Sequence, residues 1–189
     1  MLKFYKFIEI LVILQSLVLT SMLPIYIPLP FIYKSSNNFE LPITLQIPTI
    51  ILLTLIFNKK VVFRAFSIYL ILGLFIFPIF YQGGSIGYLL TPNFGYLLGT
   101  YPLIKIIDNL NNRNKIKIGI FLKNGFLAIG AMHLTGIFYN FIQIIFYSQF
   151  NLFLYNLGKY SLGKIGHHFL MLFPLLLLIK PIERLKRSK

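Results

Sequence analysis

The amino-acid sequence predicts an all-α, polytopic membrane protein, a single domain over residues 1–189 that folds as a bundle of six membrane-spanning helices. Composition is the first indication, because 57% of the residues are hydrophobic and only 12% are charged. Soluble domains are about one quarter charged. The mean hydropathy of +0.79 agrees. A chain with so few polar side chains cannot cover a water-facing surface, so lipid is the solvent that it fits.

The positions of the basic residues are the second indication. The formal net charge is +14, and all but three of the 18 Lys and Arg residues lie near the two ends of the chain or in the segments 59–64 and 105–123. The exceptions are Lys34, Lys159 and Lys164. This alternation follows the positive-inside rule and predicts a multi-pass plasma-membrane protein with both termini in the cytoplasm. Basic runs beside apolar spans favour binding to anionic lipid headgroups over nucleic acid.

Three spans are predicted in the first half of the chain, since about 20 apolar residues can cross a bilayer as a helix. The first covers Phe7–Ile27 and lacks a small-residue cleavage site, which favours a retained helix over a signal peptide. The polar link KSSNNFE leads to a short second span, Pro42–Phe57. The third, Val61–Phe80, follows the turn NKK, whose lysines place it on the cytoplasmic side.

Three further spans are predicted in the second half. The fourth covers Pro92–Ile107, and the polar, basic segment DNLNNRNKIK forms a cytoplasmic loop before the fifth, Ile118–Tyr139. The segment Phe141–Leu162 is apolar and aromatic but interrupted by amides, which is typical of an interfacial helix on the outer side. A seventh span there would put the basic C-terminus outside. The sixth span therefore covers Gly166–Lys180.

The chemistry of an enzyme is not visible in this sequence. The four acids Glu9, Glu40, Asp108 and Glu183 supply no carboxylate pair at mid-membrane depth. No Walker A loop or cysteine occurs, so any energy for uphill transport comes from a partner. Three histidines without a nearby acid predict no metal site. We expect a hydrogen-bonded interior residue at one of them and solvated residues at the other two: His133, His167 and His168.

The stretch GGSIGYLLTPNFGYLLG, from Gly83 to Gly99, gathers glycines and hydrogen-bonding residues inside an apolar chain. Irregular backbone at membrane depth survives only inside protein or beside a cavity. Thr91 is a candidate cap for the fourth helix, with Pro92 in its first turn. Gly95 and Gly99 favour close helix packing. The tyrosines of this stretch fit either an interfacial belt or a pocket wall, and the stretch as a whole predicts one wall of an outward-opening cavity.

A second polar cluster, LPITLQIP, lies at the predicted outer end of the second span. Thr44 and Gln46 are two residues apart, and a glutamine amide in an apolar helix usually has a partner. A structural partner is one alternative and a ligand with amide-type groups is the other. Both clusters lack an acid, which suits capture of a neutral or anionic small molecule.

Three segments carry a family resemblance: LPITLQ (Leu41–Gln46), YLILGLFIFPIFYQGG (Tyr69–Gly84) and TPNFGYLLG (Thr91–Gly99). In this order they resemble BioY proteins, the biotin-binding S components of energy-coupling-factor (ECF) transporters. The resemblance covers roughly the middle third of the chain. It implies a six-helix S-component fold and a biotin pocket near the fourth helix and the outer loops. Where the family has an acid before the last helix, this chain reads SLGKIGHHFLM.

The resemblance also implies partners and site residues. BioY-like proteins associate with a transmembrane T component and two cytoplasmic ATPases and use no cofactor. Lys164 or His168 is the candidate positive partner for the valerate carboxylate of biotin. The predicted ligand-binding residues are Thr44, Gln46, Gly84, Ser85, Tyr88, Thr91, Asn93, Tyr96, Lys164 and His168. Two alternatives stay open, an S component for another vitamin and a membrane scaffold that uses its glycine faces to hold partner helices without transport.

Overall fold

The computed structural model describes residues 2–28, 38–81, 83–110, 116–147 and 150–187, most of which are helical. The predicted link KSSNNFE and the loop DNLNNRNKIK lie partly outside these residues. In chain order the elements are α1 (Leu2–Met22), β1 (Pro24–Pro28), β2 (Asn38–Thr44), α2 (Gln46–Ile56), α3 (Lys59–Phe75), a 3-10 turn (Ile86–Leu90), α4 (Pro92–Leu98), α5 (Thr100–Asp108), α6 (Ile118–Tyr147), α7 (Phe150–Asn156), a π-helical segment (Leu157–Leu162), α8 (Gly163–Leu170) and α9 (Leu172–Arg187).

A two-stranded hairpin replaces the predicted end of the first span and the predicted start of the second. The strands β1 and β2 pair antiparallel, with Ile25 opposite Leu41. The next backbone bond, from Leu45 N to Leu23 O, is 3.0 Å long and closes the hairpin onto the helices. The prolines of β1 lack an N–H, which a strand at a sheet edge tolerates. The all-α prediction was therefore wrong for this segment, and the two helices are shorter than expected.

The third helix ends five residues before its predicted end. Ile76 N and Phe77 N both donate to Leu72 O, and the next residue is Pro78, which cannot continue the ladder. The backbone then reverses through a pair of bonds between Phe80 and Gly83, of 2.8 and 3.0 Å. Gly83 has a φ of 120°, a region that side-chain-bearing residues avoid. The glycine there is what allows the chain to turn back toward α4.

The fourth predicted span consists of two consecutive helices, α4 and α5, which both pack on α6. A methyl group at Gly99 would overlap the backbone of Met132, and one at Gly95 would overlap Tyr139. The missing side chain of Gly99 thus lets the two backbones approach closely, as predicted, and that of Gly95 makes room for the side chain of Tyr139. The hydroxyl of Tyr139 donates to Leu89 O and ties α6 to the 3-10 turn.

The predicted interfacial helix and the predicted sixth span are not separate elements. Phe150–Leu170 runs as one helical stretch through the π segment into α8 and meets Leu172–Lys186 at a bend of 42°. The sixth span predicted over Gly166–Lys180 therefore contains this bend. The π segment widens the helix and changes the direction of every side chain after it.

Two described helices are long and apolar enough to cross a membrane, Phe4–Met22 and Ile118–Ile145, and the bent pair that ends at Lys186 would make a third. The helical fold class is confirmed, with the hairpin as an addition. The count of six crossings stays a prediction.

Candidate ligand-binding site

A cavity of about 240 Å³ lies at the end of the bundle where the hairpin, α4 and α8 meet. Strand β2 and the first turn of α2 line one side, Tyr81 and Tyr88 line the second, and α6 contributes Met132. The cavity therefore lies where the backbone is least regular. Its apolar wall consists of Leu41, Ile43, Ile47, Leu97 and Met132.

The face of α4 and α5 presents Asn93, Tyr96, Leu97 and Thr100 to the cavity. The spacing of three, four and seven residues places these side chains on one side of a helix. Thr100 is fully buried, and its hydroxyl oxygen has no hydrogen-bond partner among the described residues. Because buried polar atoms are rarely left unpaired, this hydroxyl is a candidate ligand contact.

Gln46 begins α2, lies 7% exposed, and lines the cavity. Its Nε2 donates to the hydroxyl of Tyr69 over 3.2 Å, so the structural partner considered for this amide exists. Tyr69 in turn donates to Ile79 O over 3.4 Å, in the segment after α3. The amide is thereby fixed from behind, and its Oε1 is left as the acceptor for a ligand.

Tyr88, in the 3-10 turn, is buried and lines the cavity beside Tyr81. Its hydroxyl donates to Tyr81 O over 3.3 Å, and its ring packs on Phe80 at 4.8 Å between centroids. Burial raises the pKa of Tyr88, so the phenol stays neutral, and the side chain of Asn93 lies beside its hydroxyl. This wall offers neutral hydrogen-bonding groups on an aromatic surface.

The helical stretch through the π segment and α8 contributes Tyr160, Lys164 and His168. The ammonium of Lys164 lies 5.3 Å from the centroid of the Tyr160 ring, within cation–π range. None of the acidic side chains that the structure describes lines the cavity. Lys164 therefore gives the site a positive charge, which suits a carboxylate or another anionic group on the ligand.

Behind this wall runs a chain of hydrogen bonds that begins and ends at cavity residues. The hydroxyls of Tyr96 and Ser161 are 2.8 Å apart, and Ser161 Oγ is 3.2 Å from His133 Nδ1. His133 Nε2 is 3.0 Å from His168 Nδ1. His133 is the hydrogen-bonded interior residue that the sequence predicts. His168 is 8% exposed, so the expectation of a solvated residue was wrong there.

Seven of the ten predicted site residues line the cavity: Thr44, Gln46, Tyr88, Asn93, Tyr96, Lys164 and His168. Gly84, Ser85 and Thr91 are not brought to it. Gly84 packs against the end of α3, where a methyl group would meet Gly73 O at 2.5 Å, and Ser85 is exposed. The predicted cap is also absent, because the hydroxyl of Thr91 donates to Tyr88 O over 2.7 Å rather than to the first turn of α4.

Sequence comparison identifies the family. Residues 5–173 match the model of the BioY family, which is most of the 189-residue chain. This chain belongs to the BioY family. The family inferred from the three quoted segments is thus confirmed, and the match extends far beyond those segments to α8 and the first residues of α9.

Two known proteins are similar to this BioY-family chain. It is 39% identical over 75 residues to the probable biotin transporter BioY of Lysinibacillus sphaericus, and the match covers 40% of this chain. The matched region spans only 34% of that relative's length. The S-component for biotin from an ECF-type ABC transporter aligns with 98% of this chain and 92% of its own, at 22% identity and a TM-score of 0.50. At that identity, the likeness shows a shared fold.

Several cavity residues of this BioY-family chain were missed from the sequence, notably Thr100, Met132 and Tyr160. Two of them carried a signal. Thr100 is four residues after Tyr96, and Tyr160 precedes Lys164 by four residues and His168 by eight, so helical spacing alone joins them to predicted site residues. Met132 carried none, since an apolar residue in an apolar helix does not stand out.

Proposed function

We propose that this chain is the membrane S component of a biotin uptake system, which captures biotin in an outward-facing pocket and delivers it inward. The observation that carries the proposal is the cavity itself. One cation, several neutral hydrogen-bonding groups and aromatic walls converge on a space suited to a small molecule. Family membership and the shared fold with a biotin S-component support the choice of ligand.

The chemistry of the cavity suggests how biotin lies in it. Its carboxylate pairs with Lys164, where the positive charge is. Its ureido ring, which presents two N–H donors and one carbonyl acceptor, meets the neutral groups of Gln46, Asn93 and His168. The sulfur ring and the aliphatic chain lie against Tyr96 and Tyr160. Nothing in this arrangement performs a reaction, in keeping with a transporter rather than an enzyme.

The proposed topology has six crossings with both termini in the cytoplasm. They are α1, the hairpin with α2, α3, α4 with α5, α6, and α8 with α9. Large apolar side chains on the outer faces support a lipid environment, since soluble proteins rarely expose such patches. Leu134, Ile145 and Leu177 are 68%, 70% and 79% exposed. In this topology the cavity opens to the outside, and basic residues flank the cytoplasmic ends.

The proposed partners are a transmembrane T component and two cytoplasmic ATPases. The sequence has no Walker A loop, so the chain needs ATP hydrolysis from elsewhere to drive uptake. Affinity purification of a tagged full chain from its native membrane tests this. We expect a T component and two ATPases to co-purify and ATP to stimulate biotin uptake in proteoliposomes. Uptake that is unaffected by ATP would contradict the proposed energy coupling.

Direct binding tests the ligand. Purified full-length protein in detergent or nanodiscs should bind radiolabelled biotin, and excess unlabelled biotin should displace it, whereas thiamine and riboflavin should not. Asn93→Ala and Gln46→Ala should each weaken binding about 3- to 10-fold, the value of a neutral hydrogen bond. Asn124→Ala is the control, because Asn124 bonds to Ile120 O, in α6, and lines no part of the cavity.

No biotin binding in several detergents and lipids would overturn the ligand assignment. Displacement of a retained compound by a different vitamin would favour an S component for that vitamin. A third outcome is a protein that retains no small molecule and binds its partner proteins equally well after substitution of Asn93 or Tyr88. That result would favour the alternative of a membrane scaffold without transport.

A further inference from the structure

Tyr69 connects the cavity to the buried centre of the bundle without reaching the cavity itself. It lies on α3, is fully buried and does not line the cavity. Its hydroxyl is 3.2 Å from Nε2 of Gln46, which begins α2 and does line the cavity. A change at the Tyr69 hydroxyl would therefore reach a ligand only through another side chain.

The same hydroxyl also holds the segment after α3. It donates to Ile79 O over 3.4 Å, and Ser21 Oγ, in the last turn of α1, donates to this carbonyl over 3.0 Å. The Tyr69 ring packs edge-on against Phe80, with 5.2 Å between the centroids. Tyr81, the next residue, lines the cavity. One buried phenol thus contacts both the start of α2 and the segment that carries Tyr81.

Burial gives this contact its weight. Gln46 is 7% exposed and Tyr69 is fully buried, so water is poorly placed to replace a lost partner of the amide. A glutamine side chain has several rotatable bonds, and holding it in one conformation costs entropy. A ligand that meets Gln46 finds an amide that is already held, so less binding free energy is lost in ordering it.

We propose that Tyr69 is a positioning residue for the ligand, because its hydroxyl holds the amide of Gln46 in the orientation that meets a ureido-type group. This inference rests on the proposed function for the identity of the ligand, in which Gln46 meets the ureido ring of biotin. It adds that recognition of this ring depends on a residue that the ligand does not touch. Lys164, the partner of the carboxylate, acts independently of Tyr69.

Removal of the hydroxyl alone is the first test. Tyr69→Phe should fold, because Ile79 O retains its second hydroxyl donor and the ring keeps its contact with Phe80. It should weaken biotin about 3- to 10-fold, the effect of one neutral hydrogen bond. Tyr101→Phe is the matched control, because the Tyr101 hydroxyl lies 2.8 Å from Ser67 Oγ and lines no part of the cavity. This control should bind biotin within about twofold of wild type.

Double-mutant cycles show whether Tyr69 acts through Gln46. With Gln46→Ala the amide is gone, so adding Tyr69→Phe should change biotin affinity by less than about twofold. With Lys164→Met the full loss from Tyr69→Phe should persist, because Lys164 pairs with the other end of the ligand. Three results would overturn the proposal: no loss in the single variant, an undiminished loss with Gln46→Ala, or a loss that disappears with Lys164→Met.

The amide can also be followed without any ligand. Nitrogen-15 relaxation of the full chain labelled at glutamine reports the ps–ns motion of each side-chain amide, and Gln46→Ala identifies the signal. We expect the Gln46 amide to be restricted in wild type and in Tyr101→Phe and mobile in Tyr69→Phe. Equal mobility in all three proteins would contradict the positioning role. If wild-type protein binds no biotin, the proposed function fails, whereas this measurement still decides whether Tyr69 holds the amide.

Discussion

The two ends of the bundle are built differently. At the cavity end the backbone leaves the regular helix repeatedly, in the hairpin, the 3-10 turn and the π segment. At the opposite end, α2 and α3 are joined by a tight turn in which Asn58 Oδ1 accepts from Lys60 N at 2.9 Å. Ile104, Ile107 and Leu110 are fully buried there. One end encloses the cavity, whereas these described side chains of the other end, here called the solid end, are packed without exposed surface.

The difference teaches where a small bundle can hold a ligand. Regular helices satisfy their own backbone groups and pack through side chains, as the described residues of the solid end do. Irregular segments cannot face lipid, so they turn toward one another and enclose polar groups. The solid end should therefore determine stability and the cavity end affinity, and this separation can be tested with single substitutions.

The largest expected effect is on stability at the solid end. Ile107→Ala removes a fully buried side chain and should lower the free energy of unfolding by about 2–5 kcal/mol. Biotin affinity of the folded fraction should not change. Leu177→Ala is the control, because Leu177 is 79% exposed and its loss should matter by less than about 0.5 kcal/mol. Chemical denaturation in one detergent measures both. A large loss of affinity in Ile107→Ala would mean that the two ends are not separate.

The next effect is on affinity at the cavity end. Lys164→Met should weaken biotin about 10- to 150-fold, since a hydrogen bond to a charged group contributes about 1.5–3 kcal/mol. Lys159→Met should be neutral, because Lys159 lies over the same Tyr160 ring, 5.2 Å from its centroid, but does not line the cavity. Calorimetry with biotin and with biotin amide measures the pairing. Wild type and Lys164→Met should bind the amide equally well, and a difference there would point to a packing role for Lys164.

The smallest effect is expected at the solid end's ion pair. Lys59 Nζ lies 2.9 Å from Asp108 Oδ2, and the lysine side chain is 38% exposed. Lys59→Met should cost less than about 1 kcal/mol, because exposed pairs are screened by water and salt. Lys60→Met is the control for the change in net charge, because it removes the same charge from an exposed neighbouring residue. Denaturation should show a lower free energy of unfolding for Lys59→Met than for Lys60→Met at low salt and no difference between the two variants at high salt. A loss above about 2 kcal/mol would show that this pair organises the turn.

The sequence predicted most helices and many of the residues that line the cavity for one physical reason. In an apolar chain each polar or glycine residue is conspicuous, so Gln46, Asn93 and Lys164 could be selected from the amino-acid sequence alone. Long apolar runs likewise mark helices. The same contrast fails for Met132, which is apolar in an apolar setting.

The remaining features depend on distant contacts. The hairpin pairs strands through backbone groups that any residue carries, and its prolines suggested only that a helix ends. The bond chain behind the cavity joins residues 65, 28 and 35 positions apart, so no local pattern reports it. Three predicted residues lie outside the cavity, since Gly84 packs against the end of α3, Ser85 is exposed, and the hydroxyl of Thr91 donates to Tyr88 O.

The π segment at Leu157–Leu162 has a consequence for comparing relatives. A wider turn acts as one extra residue in a helix, and each residue of an α-helix turns the next by about 100°. In a relative that is regularly α-helical here, the residue facing the ligand from the position of Lys164 would be found one place earlier in the chain. Alignments across this turn therefore need a single-residue gap, and deleting one residue from it should give a regular α-helix that still presents the ammonium to the binding surface.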